Sequence, residues 1–244
     1  VRFGSYTAIK DLSIDIAEGA FYTILGPSGC GKSTMLRLVS DLIPAAGGTV
    51  SIFGKSTEEA RLAREFSFVF QDAALLPWRS ALKNVELPLE IGRKRGVKIP
   101  KSNRTPLELL ELVGLKGRED ALPHELSGGM QQRVGLARAF ALDAPLLLMD
   151  EPFAALDEIT RAEMRHLLGR LTEPLGTTVV FVTHSIAEAA FLSDRVVVMS
   201  SRPGRIVEQV PIDLPHPRHP DVENTADFFE IAARLRTSLH SGSE

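Results

Sequence analysis

Apolar positions along the chain fall into short runs separated by Gly, Pro and polar clusters, and the runs change period from strand-like to helix-like and back. Residues 12–16 and Phe21–Leu25 read as strands. A Gly-rich loop follows, then a helix over about 32–41. Pro44 and Gly47-Gly48 end that helix and turn the chain into a strand at 49–53. Residues 65–70 form a further strand. From 72 to 142 the pattern is mostly helical, broken at Pro77, Pro88, residues 92–100 and Pro123. Residues 146–149 are a continuous apolar run, as expected of a parallel strand buried on both faces. Met164, Leu167, Leu168 and Leu171 share one helical face. Strands at 177–182 and Arg195–Met199 are joined through a helix near 185–192.

Strands alternating with helices imply a doubly wound α/β core. The whole chain, 1–244, is expected to form a single domain. Residues of about 1–71 and 143–210 supply its β-rich part and core, and about 72–142 form an inserted helical subdomain. The extension 211–244 is Pro-rich, then one amphipathic helix around 227–239, too short to be another domain.

Composition narrows the function. Hydrophobic residues make up 44% of the chain, enough for an ordinary globular core. The net charge is −3 with acids and bases interspersed, which gives no reason to expect nucleic acid as a partner. The single cysteine, Cys30, rules out an internal disulfide and suits a reducing cytosol. No apolar run has the length to span a bilayer. Val1-Arg2-Phe3-Gly4 does not read as a signal peptide. Service to a membrane would then pass through a partner, from the cytosolic side.

Three stretches carry chemistry. Gly26-Pro27-Ser28-Gly29-Cys30-Gly31-Lys32-Ser33, followed by Thr34, matches GxxxxGK[ST] in full between a strand and a helix. Its glycines let backbone N–H groups wrap phosphate oxygens at a helix N-terminus. Lys32 is expected on the β- and γ-phosphates and Ser33 on Mg²⁺. A chance Gly-rich turn would have to match every position. Next, the apolar run at 146–149 ends in Asp150-Glu151, which puts carboxylates at the carboxyl edge of a buried strand, where ligands of open α/β sheets bind. Asp150 is expected to hold Mg²⁺ through water, and Glu151 to polarise the attacking water. Alone, such a strand end is an ordinary solvated one. Third, Leu126-Ser127-Gly128-Gly129-Met130 offers a capping Ser127 and two glycines that admit close approach to the backbone. It is not a full capping box, because Met130 stands third after Ser127. By itself it is a capped helix; beside a complete phosphate loop, a second phosphate-binding terminus suggests a nucleotide shared between two subunits.

With these stretches in this order over nearly its whole length, the chain resembles the nucleotide-binding subunit of an ATP-binding cassette (ABC) transporter. The resemblance implies a P-loop NTPase fold: a RecA-like core, an N-terminal antiparallel β subdomain and an inserted α-helical signature subdomain. It implies ATP and Mg²⁺ as ligands. Gln71 resembles the Q-loop glutamine that senses Mg²⁺ and the attacking water. Asp157, in Ala155-Leu156-Asp157, resembles the D-loop residue at the dimer interface. His184 resembles the switch histidine on the γ-phosphate. Phe3 falls where the family places an adenine-stacking aromatic, with Tyr6 as the alternative. The implied partners are a second copy through an ATP sandwich, multi-span permease subunits and, indirectly, a periplasmic or lipid-anchored solute-binding protein. The implied location is the cytoplasmic face of the bacterial inner membrane. Cys30, in the phosphate loop, is either a small space-filler or a thiol of lowered pKa.

The flanks refine this. The segment Leu75-Leu76-Pro77-Trp78-Arg79 faces the membrane subunit in the family; Trp78 is either an interface anchor or core packing. Arg93-Lys94-Arg95 with Lys98 is a solvated loop or a contact for anionic headgroups. Residues 75–78 and 201–206 resemble importer ATPases for nitrate, sulfonate, taurine and related small anions or thiamine precursors. Two rival functions remain: a soluble cassette factor, which usually carries two cassettes or long insertions, and a nucleotide-gated scaffold, which the intact Glu151 and His184 disfavour.

Overall fold

The computed structural model describes residues 2–3, 6–96, 104–201 and 203–242, and side chains from Thr7 onward. The chain opens with an antiparallel ladder of β1 (Arg2–Phe3) and β2 (Tyr6–Thr7). Strand β3 (Phe21–Leu25) leads through the Gly-rich loop into α1 (Lys32–Val39). A second antiparallel ladder joins β4 (Ser51–Ile52) to β5 (Lys55–Ser56), and α2 (Thr57–Ala63) connects it to β6 (Phe66–Val69). Three helices follow: α3 (Ala81–Lys94), α4 (Pro106–Leu112) and α5 (Gly128–Phe140). Then come β7 (Leu146–Asp150), α6 (Glu158–Thr172), β8 (Thr178–Thr183), α7 (Ile186–Leu192), β9 (Arg195–Met199), β10 (Ile206–Pro211) and α8 (Ala226–Ser241).

Six strands form the central sheet in the order β10-β9-β3-β8-β7-β6, all parallel except β10, which pairs antiparallel with β9. Its middle strands are apolar on both faces because both faces are covered. Phe21, Leu25, Leu147, Met149, Val179 and Phe181 point to the side packed by α5, α6, α7 and α8. Tyr22, Ile24, Leu146, Leu148, Val180 and Val182 point to the side packed by Met35 and Leu36 of α1. Leu148 is fully buried, so truncation to Ala costs about 2–5 kcal/mol.

The ladders also fix where the strands stop. Leu25 lies beside Thr183, and Asp150 beside Val182, so β3, β7 and β8 end together at one carboxyl edge.

Local structure departs from the expectation at several places. Among the described residues, 12–16 join no ladder, although Leu12, Ile14 and Ile16 alternate inward against the α1-side core. The strand at 49–53 shrinks to Ser51–Ile52. Pro88 does not break the helix. It sits inside α3, where its missing N–H costs one hydrogen bond but Ala81, Leu82, Val85 and Leu89 pack into the core on either side of it. Helix α2 was not foreseen: Ser56 and Glu59 close a full capping box at its start, while Ala60 is its one buried residue.

Candidate functional site

The loop after β3 is held open by glycine geometry. Gly29 and Gly31 have φ of 79° and 103°, a region L side chains avoid, and a Cβ on Gly31 would meet Ile9 at 2.8 Å. Gly31 also stands at the N-cap of α1 with no side-chain cap, leaving the first N–H groups of the helix for an anion. Lys32 is buried. Its Nζ donates to Gly26 O at 2.8 Å and Pro27 O at 3.0 Å, and lies 3.4 Å from Glu151 Oε1.

Across the carboxyl edge, Ser33 Oγ donates to Asp150 Oδ1 at 2.8 Å. Burial pushes the Asp150 carboxyl above the usual carboxylate range, against the lowering pull of the Ser33 hydrogen bond. Glu151 follows in a left-handed backbone conformation, φ 44°, which costs a non-glycine residue about 1 kcal/mol or more. It is held by its N–H bond to Val182 O at 2.9 Å, and the turn swings the carboxylate back over the loop. Glu151 Oε2 lies 2.9 Å from His184 Nδ1. One carboxylate therefore spans the loop lysine and the histidine after β8. A cleft of about 390 Å³ opens here, lined by Ala8, Ser28, Gly29, Gly31, Lys32, Ser33, Thr34, Gln71 and Glu151.

The remaining predicted residues lie elsewhere. Cys30 faces the interior: it is 1% exposed, and a Cβ on Gly26 would come within 2.9 Å of its Sγ. Burial raises its pKa, outweighing the opposing effect of Lys32, so of the two readings of Cys30 the buried geometry fits the space-filler and not the thiol of lowered pKa. Ser127 caps α5, accepting from Met130 N at 3.3 Å. A Cβ on Gly128 would meet open space, whereas one on Gly129 would come within 2.6 Å of Thr160 Cγ2. Asp157 caps α6, accepting from Thr160 N at 3.0 Å and Thr160 Oγ1 at 2.7 Å. Neither Ser127–Gly129 nor Asp157 lines the cleft of its own chain. Backbone of Phe3 and Tyr6 is paired in the first ladder, but their side chains lie outside the described residues, as does Lys98. Trp78 is 72% exposed, which excludes core packing.

Sequence reasoning passed over the groups that hold Gln71 in place. Gln132 Nε2 donates to Gln71 O at 2.5 Å. Arg138 donates to the Ala73 and Ala74 carbonyls. Gly135 brings α5 within 3.5 Å of Ala73. Gln132, Gly135 and Arg138 recur at helical spacing on one face of α5, a signal readable in retrospect.

A parallel sheet whose carboxyl edge carries a phosphate-loop lysine, a Ser–Asp pair and a Glu–His pair is the architecture of a P-loop NTPase. The chain belongs to the ABC transporter family: the model of that family, described as ABC transporter, matches residues 9–154. The fold is that of an ABC ATPase. The chain is 42% identical to a taurine import ATP-binding protein of Rhizobium johnstonii, over 98% of this chain and 92% of that one. It is 47% identical to an uncharacterised ABC transporter ATP-binding protein of Methanocaldococcus jannaschii, over 95% and 84%. Among solved structures it is similar to a dimeric ATP-binding cassette in a post-hydrolysis state bound to ADP and Pi. The TM-score is 0.73 at 36% identity, covering 88% of this chain and 96% of that one.

Proposed function

We propose that this chain is the ATP-hydrolysing motor of an importer, working as a homodimer with Mg²⁺ and driving a small anionic solute of the taurine, sulfonate or nitrate kind through a partner permease. The observation that carries the reading is the reach of Glu151 between Lys32 and His184 at the edge where the phosphate loop begins.

In this reading Lys32 exchanges the Gly26 and Pro27 carbonyls for β- and γ-phosphate oxygens. The backbone of Gly26, Pro27, Ser28, Gly29, Cys30 and Gly31 wraps the phosphates, with Ser33 and Thr34 at the start of α1. Ser33 and Asp150 fit a Mg²⁺ site: a hydroxyl and a carboxylate already meet at 2.8 Å, both hard oxygen donors, and Mg²⁺ needs few protein ligands when phosphates supply the rest. Mg²⁺ would neutralise charge on the phosphate oxygens. Gln71, at the mouth of the cleft, is a third candidate near the metal and the attacking water. Glu151 takes the proton of the attacking water as general base, and His184 orients that carboxylate and meets the γ-phosphate. Ser127, Gly128, Gly129 and Asp157, which do not line the cleft of their own chain, would complete the site of a second copy, and Phe3 would stack on adenine.

The taurine-import relative supports import and the solute class. Among the described residues no helix is long and apolar enough to cross a membrane, which fits a motor docked on permease subunits at the cytoplasmic face, with a solute-binding protein on the other side.

The test is nucleotide-dependent dimerisation. Glu151→Gln keeps the shape of the side chain but removes the base, so the variant should form a stable dimer in ATP on size exclusion while releasing no phosphate. Adding Ser127→Arg should return it to monomer with ATP binding intact. A Glu151→Gln chain that stays monomeric at saturating ATP would refute the shared site. Loss of transport in vesicles carrying the permease and Lys32→Ala motor tests the import assignment.

A further inference from the structure

Glu188 is 4% exposed, on α7, one turn beyond His184. Its position is not explained by packing alone, because a carboxyl group is costly to bury, and burial pushes its pKa above the usual carboxylate range. Its contacts run toward the site from two sides. Thr183, the last residue of β8, donates its hydroxyl to Glu188 Oε2 at 2.5 Å. Thr183 Oγ1 in turn accepts from Ser185 N at 2.9 Å, and Ser185 Oγ accepts from Glu188 N at 3.3 Å. Both neighbours of His184 are therefore tied to Glu188. On its other side, Glu188 Oε1 lies 4.0 Å from Arg161 Nε, a buried nitrogen with no hydrogen-bond partner. Arg161 Nη2 donates to Leu156 O at 2.8 Å, one residue before Asp157.

We propose that Glu188 is a positioning residue for ATP hydrolysis: its carboxylate joins the turn that carries His184 to Arg161, and through Arg161 to the Leu156–Asp157 segment, so that the two loops keep one relative placement. This rests on the ATPase reading above. Glu188 touches neither nucleotide nor water in this role; it acts through His184 and Asp157. The unpaired Arg161 Nε is the slack in the connection, since a small approach of α6 toward α7 would turn the 4.0 Å separation into a hydrogen bond.

The experiment measures phosphate release and fluorescent-nucleotide binding for the purified full chain. Glu188→Ala should lower kcat by about tenfold or more while KM for MgATP and nucleotide affinity stay within about twofold, the pattern of a group that acts in the transition state. Glu188→Gln keeps an acceptor for the Thr183 hydroxyl but turns its NH2 toward Arg161, so it should recover only part of the loss, with kcat between those of Glu188→Ala and the parent. On an Arg161→Met background, Glu188→Ala should cost clearly less than alone, because the two residues share one connection. If Glu188→Ala does not fold, Thr183→Val carries the test and should lower kcat about fivefold at unchanged KM. A Glu188→Ala or Thr183→Val chain with parental kcat overturns the proposal, as does a Glu188→Gln chain no better than Glu188→Ala. A parent chain that releases no phosphate fails the ATPase reading instead, so the two failures are distinct.

Discussion

Gly129 packs directly against Thr160: a Cβ at position 129 would come within 2.6 Å of the Thr160 methyl. Helix α5 and the Asp157 turn are thus fitted face to face through a single missing methyl. Gly129→Ala should force them apart and lower ATP turnover by about tenfold, as misplacement of site groups by fractions of an ångström does. Thr160→Ser removes the colliding methyl yet keeps the hydroxyl that bonds Asp157. The double variant Gly129→Ala/Thr160→Ser should therefore recover most of the turnover in a steady-state phosphate assay. A double variant as poor as Gly129→Ala alone would mean that the clash is not the cause.

Trp78 offers a separate test. At 72% exposure it contributes little to the isolated fold, and Trp78→Ala should change the unfolding free energy by no more than about 0.5 kcal/mol. Co-purification with the permease should weaken markedly while nucleotide binding is retained. Unfolding shifted by several kcal/mol would show a packing role that the exposed ring does not suggest.

Cys30 should resist alkylation in the native chain. Its sulfur is buried and its pKa is raised, so little thiolate is present at neutral pH and little of it is reachable. Iodoacetamide labelling followed by mass spectrometry should give slow modification with or without MgATP, and rapid modification only in urea. Fast labelling of the folded chain, suppressed by nucleotide, would contradict the buried geometry.

Acid should loosen the C-terminal helix. Glu208 of β10 accepts from Ser238 at 2.5 Å and from Arg234 at 2.6 Å, both on α8. The Ser238 bond first, then Arg234, hold its carboxyl below the usual range. A depressed folded pKa means the stabilisation is present above the unfolded pKa and is lost as pH falls through the folded one. Urea midpoints of the parent and Glu208→Gln should differ at neutral pH and converge as pH drops below the ordinary carboxylate range. A gap that stays constant with pH would dismiss the linkage.

What could be read from the chain beforehand follows from how local each feature is. The phosphate loop and the Asp150-Glu151 strand end are contiguous, and β3, β7, β8 and β9 are doubly covered, so their apolar runs are unbroken. Helix α2 shows no apolar stripe because it buries only Ala60; its capping box was the readable signal. Strand β10 was hidden because it is an edge strand with Glu208 and Gln209 in its middle. The direction of Cys30 depends on how the loop folds back on Gly26, and the grip of Gln132 on Gln71 links residues 61 apart in sequence. The second contact falls within no short window, and the burial of Cys30 rests on packing in the cluster with Ala8, Ile9 and Met199, distant in sequence.

The strand order has a mechanical corollary. The loops bearing Lys32, Glu151 and His184 leave β3, β7 and β8, each hydrogen-bonded to a strand on both sides, whereas Gln71 follows β6, the margin of the sheet, laddered to β7 alone. A force on Gln71 works against one row of backbone hydrogen bonds; the same force on the other loops works against two. Amide exchange along Phe66–Val69 should accordingly outrun that along Leu146–Asp150. Helix α5 grips the segment after this margin at the Gln71, Ala73 and Ala74 carbonyls. Of the two edges of the sheet, this one is thus the edge gripped by α5, so a displacement of that helix would pull on a strand laddered on one side only.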